Sequence, residues 1–224
     1  NCFMNFDVLF EDKDLIVVYK PAGVPTQTKD VATKDMVSLV SAYRGEKGET
    51  AEIHVVHRLD QPVEGVMVMA KSKTAAAALT KQVTEHEFKK KYYAIISRES
   101  FPDEGVLEDY LVKDMRTNLS KVVKASDPRA KRALLSYKVV EQWDDRKLLD
   151  IELFTGRHHQ IRIQLASRTA PILGDVKYGG IATGEPLALC SHYLCFKHPV
   201  NGEVMEFSIR PKGVSFEDCK LNGQ

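Results

Sequence analysis

Residues 54 to 65, His-Val-Val-His-Arg-Leu-Asp-Gln-Pro-Val-Glu-Gly, set an arginine and a carboxylate two positions apart, just after a pair of valines. Val55 and Val56 read as the end of a buried strand, and Val66 to Ala70 as a second strand returning. Pro62 cannot donate to a central ladder, so Arg58 and Asp60 fall on the loop between them. A carboxylate held on a loop between rigid strands can attack an electrophilic carbon or take a proton. In an arbitrary loop the same two residues would more often form a surface ion pair.

Three other stretches carry reactive side chains. Lys89-Lys90-Lys91-Tyr92-Tyr93 opens a strand whose alternation puts the two tyrosines on opposite faces. Arg157-His158-His159-Gln160-Ile161-Arg162 reads as a helix start, with Ile161 and Leu165 spaced for burial. On a helix, neighbouring histidines point about 100° apart and cannot share one metal ion. Cys190, His192, Cys195 and His198 offer zinc-type ligands, but a strand over 187–196 sends Cys190 and His192 to one side and Cys195 to the other. No metal is expected.

The elements that must position these residues are legible in the apolar pattern. Val8-Leu9-Phe10 and Leu15 to Tyr19 flank a polar turn and predict a hairpin over 7–20. Lys20-Pro21-Ala22-Gly23 stops it, and a short helix is expected over 35–43. Ser72 is a candidate N-cap for a helix running to about Glu87, with Ala75, Leu79 and Val83 on its apolar face. Val106–Val112, Lys121–Ala125, Ala133–Glu141 and Lys147–Phe154 predict an antiparallel meander. His198-Pro199 and Asn201-Gly202 predict a hairpin turn into 203–209.

The chain has 224 residues, 43% hydrophobic and 28% charged, enough for a sizeable core in one large domain or two small ones. A net charge of +1 excludes a global electrostatic case for nucleic acid, so any such binding needs a local basic patch. No membrane-spanning run or signal core is seen. Four cysteines (Cys2, Cys190, Cys195, Cys219) lack disulfide-like density, which favours reduced thiols and a cytoplasmic setting. The sequence opens on Asn1, so residues are expected upstream.

His57-Arg58-Leu59-Asp60 with Gly65 resembles the His-Arg-Leu-Asp-x-x-Thr-Ser-Gly motif of the RluA-type pseudouridine synthases, although Val63-Glu64 replaces Thr-Ser. Lys20-Pro21-x-Gly23, Lys90-x-Tyr92-x-Ala94, Gly156-Arg157-x-His159-Gln160-Ile161-Arg162 and the Ile172-Leu173-Gly174-Asp175 to Gly179 segment are similar to further motifs of that family. Leu189 to Pro199 also resembles one, with Cys190-Ser191 in place of His-Ala. These matches keep the family's order across most of the chain.

The resemblance implies an α+β fold over residues 1–224: a mixed, largely antiparallel sheet with flanking helices and a central cleft, with no N-terminal RNA-binding helper domain. It implies an RNA pseudouridine synthase acting on ribosomal or transfer RNA as a monomer. That reaction is an isomerisation with no redox change or group donor, so no cofactor is expected. Asp60 is expected to act at the ribose as nucleophile or base, Arg162 to keep it charged, and Tyr92 to stack on the detached base. His57, Arg58, Leu59, Arg157, His159 and Gln160 are expected to contact the RNA. Two rivals remain: a catalytically inactive RNA-binding protein of the same fold, and a nucleosidase releasing the base to water.

Overall fold

The computed structural model describes residues 6–97 and 100–221, so Cys2 lies outside the described residues. In chain order the first elements are β1 (Val8–Glu11), β2 (Leu15–Lys20), α1 (Met36–Glu46), β3 (His54–Val55), β4 (Glu64–Ala70) and α2 (Lys73–Thr84). Then come β5 (Lys89–Ile96), β6 (Glu104–Asp114), β7 (Leu119–Val123), β8 (Lys131–Trp143) and β9 (Arg146–Leu153). The chain finishes with α3 (Gln160–Ala166), β10 (Leu189–Lys197) and β11 (Val204–Ser208). The fold is α+β, and every strand pair with a given register is antiparallel. Among the described residues no helix is long and apolar enough to cross a membrane.

Contacts divide the chain into two units, the first holding residues up to Lys89 and Ser191–Pro211, the second Lys90–Cys190 and the segment from Lys212. In the first, the strand order is β1-β2-β4-β10-β11, with β3 also pairing with β4. Asp12 accepts from the backbone of Asp14 and Leu15, which closes the predicted hairpin turn. The β2–β4 register runs from Leu15↔Ala70 to Lys20↔Gly65, and both strands are buried along their whole length. Leu15, Val17, Val66, Val68, Ala75, Leu79, Phe88 and Phe196 form the core, each large side chain contributing about 1.5–3 kcal/mol by leaving water. Gly65 is forced by packing: at φ +150° its Cα faces β10 so closely that a Cβ would lie 2.5 Å from Ser191 Cβ.

Helix starts follow their caps. Asp35 and Ser38 form a reciprocal capping box at α1, and Ser72 accepts from Ala75 N at 3.1 Å at α2. α2 stops at Thr84, short of the expected Glu87, because His86 turns left-handed at φ 58°.

In the second unit the order is β5-β9-β8-β6-β7, not the simple meander expected from sequence. β8 pairs with β6, and β7 folds back along the other edge of β6. Two features hold it there: a turn with Asn118 left-handed at φ 58°, and Ser120, which bonds His158 and Tyr178. α3 buries Ile161 and Leu165, and Gln164 Nε2 donates to the carbonyls of Leu107 and Ala133.

Candidate active site

In the first unit, the loop carrying Asp60 is laced to the turn after β2 at successive residues. Gln61 O accepts from Gly23 N at 2.8 Å and from Lys20 Nζ at 3.1 Å. Gln61 Nε2 returns a bond to Gly23 O at 3.1 Å. Thr26 Oγ1 donates to Leu59 O and accepts from Leu59 N, at 2.9 and 3.1 Å. Arg58 reaches Gln27 Oε1 at 2.8 Å, and Val63 N closes a turn on Asp60 O at 2.9 Å. Asp60 itself is half-buried, on a backbone fixed from both sides. Such pre-organisation is what a nucleophile or base needs, because geometry is set before substrate arrives.

Lys20 is fully buried at the end of β2, and its Nζ donates to the carbonyls of Pro21, Val24 and Gln61. Burial pushes this amine down to about 7, against the pull of Asp60 and Glu64. Glu64, which stands where the resembled motif has Ser, is buried. As the first residue of a fully enclosed strand it has no path outward. It accepts from Tyr19 OH at 3.0 Å and faces the charge of Lys20.

In the second unit, Tyr92 sits in β5 opposite Ile151 and is buried, as is Tyr93. Burial first, then Asp150, raises the Tyr93 hydroxyl well above its ordinary range. Arg162 projects from α3 into a two-pronged ion pair with Asp175, Nε to Oδ2 at 3.0 Å and Nη2 to Oδ1 at 2.8 Å. Both side chains are almost wholly enclosed, and the guanidinium lies 5.1 Å from the Tyr178 ring centroid. Tyr178 OH accepts from Ser120 N at 2.9 Å and shares a hydrogen bond with His159 Nδ1 at 2.7 Å. Burial followed by Arg162 pushes the His159 imidazole down to about 3, which keeps it neutral.

α3 begins at Gln160 rather than Arg157, because His159 is left-handed at φ 53°. The two histidines precede the helix, and their rings stack at 3.7 Å instead of diverging by a helical step. Ser120 Oγ donates to His158 O at 2.7 Å and accepts from His158 Nδ1 at 2.9 Å.

Of the residues expected to touch RNA, Arg58 is exposed and Arg157 half-exposed, its Nε on Arg132 O at 2.7 Å. Leu59 and Gln160 are buried. Leu59 packs inside the first unit, while Gln160 bonds Thr155 Oγ1, Arg157 N and Leu134 O. His57 Nε2 accepts from Val68 N at 3.0 Å and His159 is engaged by Tyr178, so both rings position backbone and neighbours. Sequence reading gave no role to Thr26, which carries no signal, or to Lys20, whose signal was a lysine ending an otherwise apolar strand.

Among the described residues one group of three metal-type ligands converges, Asp12, Asp14 and His198. His198 Nδ1 accepts from Val200 N and Asn201 N, so its proton is on Nε2 and is donated to Asp12 at 2.7 Å. The group latches two hairpin turns together.

Residues 14–167 match the RNA pseudouridylate synthase family, and the chain belongs to that family. It is 32% identical over 206 residues to YhcT of Bacillus subtilis (strain 168), an uncharacterized RNA pseudouridine synthase, covering 89% of this chain and 66% of that protein. It is 30% identical over 217 residues to ribosomal large subunit pseudouridine synthase D of Zymomonas mobilis, covering 90% of this chain and 68% of the relative. The chain thus spans about two thirds of the length of these relatives. Among solved structures, human RNA pseudouridylate synthase domain containing 4 aligns with a TM-score of 0.74 at 27% identity, covering 92% of this chain and 88% of that one.

Proposed function

We propose that this chain converts uridines in structured RNA, ribosomal or transfer RNA, to pseudouridine. In this reading Asp60 acts at the ribose as nucleophile or base, Arg162 supplies its counter-charge, and Tyr92 stacks on the detached base while it turns. The base must leave its stack first, at a cost of a few kcal/mol. Arg58, exposed, and Arg157, half-exposed, are assigned to the RNA backbone. The observation that carries the reading is the family match over residues 14–167 together with a loop that immobilises Asp60 from both sides.

Pseudouridine maps of total RNA from cells with and without the gene test it. Sites present only with the gene, with the ribose–base link intact in the product, support an isomerase and exclude a nucleosidase. Identical maps would refute the reading.

A further inference from the structure

Lys90, half-buried, differs from the buried lysines Lys20, Lys71 and Lys147, each of which has a partner, Lys71 pairing with Glu11 at 2.9 Å. Lys20 has three carbonyl acceptors and two facing carboxylates, and Lys147 Nζ donates to Phe101 O at 3.0 Å with Asp103 at 3.9 Å. Lys90 has no carboxylate and no hydrogen-bond acceptor among the described residues, and burial alone holds its amine below the ordinary lysine value. A partly desolvated cation without a partner costs free energy that an anion brought against it would recover.

Its position gives that charge a context. Lys90 and Tyr92 are alternate residues of β5 and project from the same side of the strand, opposite Leu153 and Ile151. The Lys90 Nζ lies over Gly156, where a Cβ would come within 3.1 Å of it. Gly156 leads directly to Arg157 and, five residues later, to the buried Arg162 of α3. The ammonium therefore sits between the tyrosine and the loop that leads to that arginine.

We propose that Lys90 is a substrate-binding residue that neutralises a backbone phosphate of the RNA drawn against Tyr92. This rests on the reading of the chain as an RNA-modifying enzyme. A phosphate is favoured over a base carbonyl because a desolvated ammonium gains most from a full negative charge, and lysine serves phosphates as a compact point charge. A carboxylate fixed in the protein would fill the same place permanently and exclude the RNA.

The test is Lys90→Met, measured beside the unaltered chain and Lys13→Met, which removes one exposed charge from the β1–β2 turn. The probe is a short single-stranded RNA containing uridine, titrated by fluorescence anisotropy at several salt concentrations, with thermal unfolding measured without RNA. The expected result for Lys90→Met is an unfolding midpoint at or above that of the unaltered chain. RNA affinity should fall about tenfold at low salt, and the slope of log affinity against log salt should become shallower by about 0.7. Unchanged affinity and slope would overturn the proposal, as would a lowered midpoint that accounts for the loss. An affinity loss with the slope unchanged would place a neutral group at Lys90 and overturn the phosphate assignment. Failure of the underlying RNA reading is distinguishable, because the unaltered chain would then show no salt-dependent binding, and the proposal falls with it.

Discussion

Glu64→Ser puts in place the residue that the resemblance leads one to expect, and the structure makes it a destabilising change. The buried Tyr19 hydroxyl loses the Glu64 acceptor at 3.0 Å, and the buried Lys20 loses one of two facing carboxylates. Removing an acceptor from a buried hydroxyl costs at most about 1–3 kcal/mol. Breaking a buried ion pair costs about 3–5 kcal/mol, an upper limit here since Lys20 keeps Asp60 and its carbonyl acceptors. The expected loss is about 2–4 kcal/mol, which for a chain of this size lowers the unfolding midpoint by roughly 5–15 °C. Tyr19→Phe in the Glu64→Ser background removes the hydroxyl that lost this acceptor, so the double variant should be more stable than the sum of the two single changes by about 1 kcal/mol. Thermal unfolding of the four proteins reads this directly. A Glu64→Ser midpoint within about 2 °C of the parent, or strictly additive single effects, would refute the Tyr19–Glu64–Lys20 arrangement.

Three further outcomes follow from the same geometry. The folded Lys20 titrates at about 7 against an ordinary 10.5, so between those values the unfolded chain binds the extra proton. Its contribution to stability therefore rises with pH across that window and is lowest below it, and the difference between parent and Lys20→Met in urea unfolding should show that slope. Arg162→Met strands the fully enclosed Asp175 and should cost about 3–5 kcal/mol in the same assay, whereas Arg162→Met/Asp175→Leu should recover much of the loss. Gly65→Ala should unfold at a markedly lower temperature, since its Cβ would meet Ser191 backbone at 2.5 Å in a conformation alanine resists.

Local signals were read well where one rule governs them. The hairpin over 8–20 and the cap of α2 follow from a turn aspartate and a capping serine, and the structure realises both. The reading overshot where a single left-handed residue intervened: His159 delays α3 by three residues and stacks two histidines that a continuous helix would have separated. β7 was placed in a meander because it lies between β6 and β8 in sequence, but its position beside β6 is held by Ser120 bonding His158 and Tyr178, residues far off in sequence. The candidate site was legible as motifs, which name Asp60, Tyr92 and Arg162. The role of Thr26 was not, because it acts through a contact with Leu59, 33 residues away. Leu59 and Gln160, both buried, also hold their motifs together, Leu59 through Thr26 and Gln160 through Thr155.

The central claim is that Asp60 carries out uridine isomerisation, and Asp60→Asn tests it most directly. The substitution keeps the size of the side chain and leaves the Gln61, Leu59 and Arg58 contacts of the loop in place, but it removes a charge facing the buried Lys20, so thermal unfolding of both proteins is measured alongside. Purified parent and variant are incubated with unmodified ribosomal and transfer RNA transcripts, pseudouridine is counted at each site, and RNA binding is measured in parallel. The expected result is pseudouridine formed by the parent, none by Asp60→Asn, and nearly equal binding by both. Pseudouridine formation by Asp60→Asn at a rate within tenfold of the parent, a barrier change under about 1.4 kcal/mol, would contradict the account.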